Sequence, residues 1–510
     1  MDYLAYARML HGGYHTARAA HHHRHRFVVA LAFIVPMLTY ALSISHDVAS
    51  RDLAEMQGVP SLLGIPHATG YPLFVLLGWL FSHAVVLDSL AYRMNLFGAL
   101  CMSFTCVVGV LTALRIGVGP VTSLGAFLCF AWARIVWFHG AQADTQDLAL
   151  LFQTMTLYYL AGWLKHERTA DIVAAFAAWG AAFAVHPISI WLLPCVVVAL
   201  AARARSLTFS NVGASIAIFI LLLGCYAYLP LRSTAIERAP VDAVQMLAPP
   251  AARVYWDTNA PSTEAGFVNE ITGASFGAAP LWVGIVDPRN WLGDLRVLYR
   301  TIHDGFDIVF AVVMALGILL LLHRRAAICI MLLVGAISAA FTATALAGAE
   351  GDPSRYLMLV MWIAALFAGA VTVEFTWNID PRRWVWALVL LGNAIYLVIA
   401  NHGVGGAQSA VSNRQLITWA AQVVPQHSII VTPWADATTL AYGAYADGSL
   451  ANRTIVAAPP LALASQYAAW SAREPVYVVT SASKPLNDPR FRAVGSPGDG
   501  HALFEYTAPR

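Results

Sequence analysis

Long apolar runs occupy most of the chain, and polar positions gather in the loops between them. About eleven runs approach the roughly 20 residues that an α-helix needs to cross a bilayer. They predict membrane-spanning helices at 27–45, 91–114, 121–139, 147–164, 171–185, 188–202, 211–229, 306–322, 326–346, 355–375 and 384–400. After residue 400, the strand-like runs "SIIVT" (428–432), "TIVAA" (454–458), "VYVVT" (476–480) and "ALFEY" (502–506) alternate with helix-like runs such as "DATTLAYGAYA". This alternation predicts a small soluble α/β domain.

The apolar run at 71–87 decides the topology, because counting it as a span reverses the side of every later loop. If it lies along the membrane surface, most basic residues of the short loops fall on one side, as the positive-inside rule requires. These residues are Arg8, Arg18, Arg24, Arg26, Arg115, Lys165, Arg168, Arg203, Arg205, Arg324, Arg325, Arg382 and Arg383. We therefore predict an interfacial or re-entrant helix here, a cytoplasmic amino terminus and external loops at 46–90, 140–146 and 230–305.

The predicted fold class is an all-α polytopic membrane protein with a small C-terminal α/β domain on the external face. Its parts are a basic cytoplasmic segment at 1–26, a transmembrane module at 27–400 and the external domain at 401–510. The composition supports this, since 59% of residues are hydrophobic and 11% are charged, against about 25% charged in soluble domains. A net charge of +2 gives no indication of a nucleic-acid partner. We expect a bacterial inner (plasma) membrane protein.

Two acidic loops on the predicted external face carry the first candidate chemistry. Asp52 and Glu55 are three residues apart and share one face of a helix. Their repulsion is expected to raise the pKa of one or both carboxyls, or the pair shares a cation; a solvated surface helix gives the same spacing. Asp144 and Asp147 follow the third predicted span. Helix packing that brings them beside Asp52 would gather carboxylates at one point of the membrane surface.

Basic and imidazole side chains near the ends of spans are the second group of candidates. His186 interrupts an apolar run before Pro187, and an ionisable residue at membrane depth indicates function unless it caps a helix or is a buried hydrogen-bonded group. Arg134, Arg232 and Arg355 also lie near external span ends. Each either extends toward the lipid headgroups or binds the phosphate of a lipid substrate.

The stretch "RDLAEMQGVPSLLGIPHATGYPLFVLLGWLF" at 51–81 resembles the first-loop signature of the protein O-mannosyltransferase-like branch of the C-type (GT-C) glycosyltransferase superfamily. That signature has an Asp-x-x-Glu-type acid pair followed by a Gly-x-x-His-Pro-Pro-Gly-Tyr-Pro-Leu-type stretch. Ala68 and Thr69 stand where the family has paired prolines, and Asp144 where it has glutamate. Further segments agree in order: "AYRMNLFGAL", "AQADTQDLALLF", "AFAVHPISIWLLP", "YAYLPLRS", "YWDTNAPSTEAGFVNEITG" and "DPSRYLML".

The resemblance implies transfer of a sugar from a polyprenyl-phosphate carrier to a protein, glycan or lipid acceptor on the external face. Asp52 is then the general base of an inverting reaction, and Glu55 and Asp144 orient the acceptor or hold a cation. Mg²⁺, Mn²⁺ or no metal at all fits this acid cluster. The predicted substrate-binding residues are His67, Tyr71, Arg134, His186, Arg232, Tyr255, Trp256 and Arg355.

Two other classes of function compete with this reading. A transporter or lipid flippase would line its path with His186 and Arg134. Against it, the sequence shows no inverted repeat and no matching pair of broken helices in its two halves. A sensor whose external domain binds a ligand remains an alternative for residues 401–510.

Overall fold

A computed structural model describes residues 25–239, 256–274, 288–346, 353–373, 381–404 and 407–507, the last range with gaps at 464, 482, 484–485 and 499. Most of this structure is α-helical, with one small sheet near the carboxyl end. Tyr255 and most of the predicted segment at 1–26 lie outside the described residues.

The apolar part of the chain folds as a bundle of helices, joined in several places by short 3₁₀ turns. The helices are α1 His25–Ala41, α2 Arg51–Gly58, α3 Pro72–Ala84, α4 Leu90–Ile116, α5 Pro120–Trp132, α6 Arg134–Gly140, α7 Thr145–His166, α8 Thr169–Val185, α9 Leu193–Ala202, α10 Phe209–Leu223, α11 Tyr228–Arg238, α12 Glu264–Thr272, α13 Pro288–Gly305, α14 Ile308–Arg324, α15 Ala326–Leu346, α16 Met358–Gly369 and α17 Arg382–Ala400.

Every predicted span contains a helix, but not every helix is long enough to cross a membrane. Within the described residues, five helices pass by length and composition, and α5 with α6 makes a sixth if that pair, bent by 72°, is one span. The five are Leu90–Ile116, Phe209–Arg238, Ala326–Ala343, Ser354–Thr372 and Arg382–Ala400. The count of eleven spans and the external side of the loops therefore stay predictions.

Helix α3 corresponds to the run at 71–87 that decided the predicted topology. It has 13 residues, which at about 1.5 Å per residue is roughly 20 Å. The hydrocarbon core of a bilayer is about 30 Å thick, so α3 is too short to cross it. Four of the predicted spans also contain only short apolar helices of 10 to 17 residues, so the interfacial or re-entrant placement of α3 stays a prediction.

Close helix contacts in the bundle depend on small residues, as is typical of membrane proteins. At Gly109 of α4 a Cβ would lie 2.2 Å from the ring of Phe127 in α5. At Gly317 of α14 a Cβ would lie 1.8 Å from the carbonyl oxygen of Phe367 in α16. Larger side chains at these two positions would push the helices apart.

The carboxy-terminal part contains a five-stranded sheet in the order β2-β1-β3-β5-β4. Strand β1 pairs in parallel with β2 and β3, whereas β5 pairs antiparallel with β3 and β4. Its elements are α18 Ala407–Val423, β1 Ser428–Thr432, α19 Trp434–Ala441, β2 Arg453–Ala457, α20 Tyr467–Ser471, β3 Val476–Ser481, β4 Phe491–Gly495 and β5 His501–Tyr506. The predicted α/β character is observed.

This sheet segment packs on the loop that follows α1. The guanidinium of Arg414 in α18 donates to Asp47 at 2.5 Å and to Asp447 at 2.7 Å. The hydroxyl of Tyr442 accepts the backbone N–H of Ala91 at 2.9 Å. The residues that connect α1 to α4 are therefore held between the helix bundle and the carboxy-terminal segment.

Candidate active site

A carboxylate and a guanidinium from distant parts of the chain meet at one end of the bundle. Asp52 lies in the first turn of α2, and Arg355 lies in the 3₁₀ turn Pro353–Leu357 that precedes α16. Asp52 Oδ2 accepts a hydrogen bond from Arg355 Nη2 at 2.9 Å. The Asp52 side chain is 29% exposed and that of Arg355 15% exposed. The pair is therefore accessible to a ligand, but partly shielded from water.

This pair opens into a small cavity to which three segments of the chain contribute. The segments are the loop between α1 and α4, the turn before α7 and the turn before α16. The lining residues are Asp52, Leu53, Met56, His67, Tyr71, Ala143, Asp144, Thr145, Arg355 and Tyr356. The structure thus brings the two predicted acidic loops together around one point.

Asp144 reaches the cavity as the N-cap of α7. Its Oδ1 accepts the backbone N–H of Gln146 and its Oδ2 accepts from His139 Nδ1, both at 2.9 Å. Burial by itself would raise the pKa of Asp144, but the His139 hydrogen bond and the charge of Arg355 hold it well below the usual value. Asp144 is therefore an ionised carboxylate of fixed orientation. His139 was not predicted from the sequence, where its only signal is a spacing of five residues from Asp144.

Glu55 points into the protein, where it holds His67. Its carboxylate accepts hydrogen bonds from the His67 backbone N–H at 3.0 Å and from His67 Nδ1. His67 Nε2 lies 3.0 Å from the hydroxyl of Tyr71, which itself donates to the Ala68 carbonyl. Burial opposes a charge on His67, but Glu55 and Asp52 raise its pKa to about 9. At neutral pH His67 is an imidazolium that donates from both nitrogens.

The pKa of Asp52 is lowered, so Asp52 is not a member of the acid pair with the raised pKa that the sequence predicts for one or both carboxyls. The spacing from Glu55 predicted repulsion and a raised pKa. Burial does favour a higher value, but the charges of His67 and Arg355 and the Arg355 hydrogen bond lower the pKa of Asp52 below its ordinary value. Repulsion between Asp52 and Glu55 does not control this pKa, because the Glu55 side chain is 2% exposed and paired with His67. Asp52 is ionised at neutral pH.

His186 stands behind the cavity as a neutral ring. It caps the 3₁₀ turn Pro187–Leu192, with Nδ1 accepting the Ile188 N–H at 3.2 Å. Its ring contacts those of Tyr71 and Tyr356 edge-on, with centroids 5.2 and 6.0 Å apart. Burial and the charges of Arg355 and His67 lower its pKa to about 3. The capping interpretation is therefore observed, and the ring supports two residues that line the cavity.

Three other predicted ligand residues lie away from the cavity. Arg232 donates to the carbonyls of Leu63 at 2.7 Å and Leu62 at 3.1 Å, so it fastens the backbone of the first loop. Arg134 is exposed at the start of α6. Trp256 is 4% exposed and packs edge-on against Tyr445, with centroids 5.6 Å apart.

Trp434 brings the carboxy-terminal segment to the site. It begins α19, is 37% exposed and meets the ring of His67 edge-on at a centroid distance of 5.6 Å. No motif in the sequence pointed to it, because this contact joins residues more than 360 positions apart.

A metal ion would find few protein ligands here. Within the described ranges, no group of three or more histidine, cysteine, aspartate or glutamate side chains is arranged to hold one. Asp52 contacts a guanidinium and Asp144 an imidazole. A Mg²⁺ or Mn²⁺ ion at these two carboxylates would therefore be bound mainly through water, as Mg²⁺ commonly is.

The Glu55–His67 pair predicts a specific pH dependence of stability. Because the folded pKa of His67 is raised to about 9 from 6.5, its stabilising contribution is complete below pH 6.5 and is lost as the pH rises through about 9. Glu55→Gln should lower stability at pH 7 by about 3 kcal/mol, as loss of one partner of a buried pair does. It should also move the alkaline decline to lower pH.

Thermal midpoints in detergent between pH 6 and 10 measure both effects. Asp88→Asn is the matched control, since Asp88 pairs with His46 at the exposed surface of the same loop. Superimposable curves for the wild type and Glu55→Gln would contradict the assigned charge state of His67.

Comparison with known proteins identifies the relatives of this chain. Residues 52–208 match the family model described as the protein O-mannosyl-transferase TMEM260 N-terminal domain. The resemblance to protein O-mannosyltransferases is confirmed. Protein O-mannosyl-transferase tmem260 of Dictyostelium discoideum is 23% identical over 274 residues, which cover 50% of this chain and 32% of the relative. TMEM260 of Mus musculus is 27% identical over 207 residues, which cover 38% and 29%.

The chain thus spans about a third of the length of the curated relatives it matches. A solved structure is similar over nearly all of both chains: ArnT from Cupriavidus metallidurans, crystallised with undecaprenyl phosphate. The TM-score is 0.54 at 11% identity, with 94% of this chain and 99% of that chain covered. At this identity the likeness shows a shared fold. The fold is GT-C-like, as the sequence resemblance implied.

Proposed function

We propose that this protein is a membrane glycosyltransferase that moves a sugar from a polyprenyl-phosphate carrier to an acceptor hydroxyl on the external face of the membrane. The observation that carries the proposal is the Asp52–Arg355 pair at the cavity. It places a proton acceptor, Asp52, beside a phosphate-binding group, Arg355. A glycosyl transfer from a lipid phosphate needs the first to activate the acceptor hydroxyl and the second to stabilise the leaving phosphate. The relationship to O-mannosyltransferases and the GT-C-like fold support it.

Asp52 acts as the general base in this proposal. Its carboxylate accepts the proton of the acceptor hydroxyl while that oxygen attacks the anomeric carbon. The bond from the anomeric carbon to the carrier phosphate breaks on the opposite side, and the polyprenyl phosphate leaves with the electron pair. The configuration at the anomeric carbon is therefore inverted.

Arg355 stabilises the departing phosphate. A guanidinium offers planar paired donors that match a phosphate, and its charge offsets the negative charge that develops on the leaving group. Asp144 lines the same cavity, with both oxygens already oriented by His139 and Gln146. We assign it to positioning the acceptor. Glu55 acts indirectly, by keeping His67 charged.

The names of the relatives direct the choice of the first substrates. Both are protein O-mannosyl-transferases, so a mannosyl donor and a serine or threonine hydroxyl of a protein are proposed as the first pair to test. A bacterial inner membrane with the cavity on its external side is the proposed location, from the basic residues of the opposite loops.

Purified protein in liposomes tests the proposal against transport. The donor is a polyprenyl-phosphate mannose labelled in the sugar, and the acceptor is a serine- and threonine-rich peptide outside the vesicles. We expect label bonded to the peptide, formed at a rate proportional to protein. Label that crosses the bilayer still attached to its carrier, with no labelled peptide, would favour the flippase alternative.

A further inference from the structure

A second cavity lies at the opposite end of the bundle from Asp52. It has a volume of about 650 Å³ and is bounded by the start of α1 and the ends of α4 and α7. Helix α7 begins beside Asp144 and ends at His166 after 22 residues, which is about 33 Å. The two cavities therefore lie at opposite faces of a membrane, and a ligand held in the second cannot react at the first.

Positive charge surrounds the mouth of this second cavity. The basic residues of its lining are Arg26, Arg115 and Lys165, together with His166, whose pKa is lowered by burial and by its basic neighbours so that its ring is neutral at pH 7. Arg115 is already neutralised by Asp171, with 3.1 Å between Nη1 and Oδ1, and it lies over the ring of Tyr158. Lys165 Nζ donates to the Arg115 carbonyl at 2.6 Å, a bond that leaves its charge uncompensated. Arg26 is exposed at the rim.

The walls of the same cavity are apolar. Val29 comes from α1, and Leu111 and Leu114 come from α4. Phe27 next to the rim is 65% exposed, so this edge faces the surrounding lipid. A cationic mouth above apolar walls is complementary to an amphipathic molecule with an anionic head and a hydrocarbon chain.

We propose that this cavity binds an anionic phospholipid, with its phosphate at Arg26 and Lys165 and an acyl chain along Val29, Leu111 and Leu114. Basic pockets between transmembrane helices on the cytoplasmic side bind such headgroups. The lipid joins the ends of α1, α4 and α7, and it stabilises the bundle at the end remote from catalysis. This site is independent of the sugar-transfer proposal.

Binding to the delipidated, purified protein tests the inference. Native mass spectrometry with phosphatidylglycerol and phosphatidylcholine compares an anionic with a neutral headgroup. We expect the wild type to retain phosphatidylglycerol selectively. Arg26→Gln with Lys165→Gln should weaken this binding about 30-fold, since each of the two basic residues near anionic lipid contributes about 1 kcal/mol and about 1.4 kcal/mol is a factor of ten. Arg205→Gln, an exposed arginine outside the cavity, is the control and should bind as the wild type does.

A stability control and a second variant keep the binding result decisive. Lys165→Gln keeps an N–H donor near the Arg115 carbonyl, and equal thermal midpoints in lipid-free detergent establish that the double variant folds. If they differ, Ala30→Trp, which fills the rim of the cavity, replaces it and should also exclude the lipid.

The inference is overturned if phosphatidylcholine is retained equally well, or if neither variant reduces binding. It is also overturned if polyprenyl phosphate, and not phosphatidylglycerol, is the ligand that these variants lose.

Discussion

Asp52→Asn is expected to lower the initial rate of sugar transfer by at least about 100-fold, the low end of what a positioned general base contributes. The amide has nearly the same size and can still accept the hydrogen bond from Arg355. It cannot take a proton from the acceptor hydroxyl. The measurement is the rate of label transfer from a polyprenyl-phosphate sugar at saturating donor, with carrier binding recorded in parallel and expected to persist.

Asp88→Asn is the matched control for this change. Asp88 is an exposed aspartate near the end of the same loop, paired with His46 and remote from the cavity. Its variant should transfer sugar at the wild-type rate. An Asp52→Asn protein that keeps more than half of the wild-type rate would remove Asp52 from the role of base.

Arg355→Gln is expected to weaken binding of the carrier phosphate by at least tenfold and to lower the maximal rate, since a guanidinium acts on both bound and departing phosphate. It also removes a positive charge that holds down the pKa of Asp52. That pKa should rise, so the acid limb of the rate profile should move to higher pH. Carrier affinity and the pH dependence of the rate measure the two effects separately.

Arg232→Gln provides the comparison. In the structure its guanidinium donates to the carbonyls of Leu62 and Leu63, so its loss should reduce thermal stability and leave carrier affinity unchanged. Carrier affinity that falls in Arg232→Gln but not in Arg355→Gln would place the phosphate site with Arg232.

The helices of the predicted spans and most strands could be predicted from local pattern alone, whereas α12 and α13 lie within the predicted loop at 230–305. The strand-like runs at 428–432, 454–458, 476–480 and 502–506 coincide with four strands to within a residue. The missed strand, Phe491–Gly495, has one buried residue followed by four exposed ones. It lies at the edge of the sheet, where no alternation of apolar and polar residues is required.

The sequence motifs predicted the polar residues that line the cavity. They did not predict which hydrogen-bond and ion-pair partners each side chain has. Asp52 and Arg355 belong to segments recognised separately, and 303 residues separate them along the chain. That contact helps to lower the pKa of Asp52, where the sequence predicted a raised pKa for one or both carboxyls of the acid pair. In the same way, Glu55 was expected to act beside Asp52, whereas its carboxylate is turned inward to His67. Sequence spacing describes one helix face and carries no information on what packs against it.

The anomeric configuration of the product tests the central claim most directly. A polyprenyl-phosphate mannose of one defined configuration is supplied to the purified protein with a hydroxyl-bearing peptide, and the product is examined by NMR. The account predicts a new glycosidic bond of the opposite configuration, because the acceptor oxygen activated by Asp52 attacks from the face opposite the phosphate. A product that retains the donor configuration, or no glycoside at all, would contradict it.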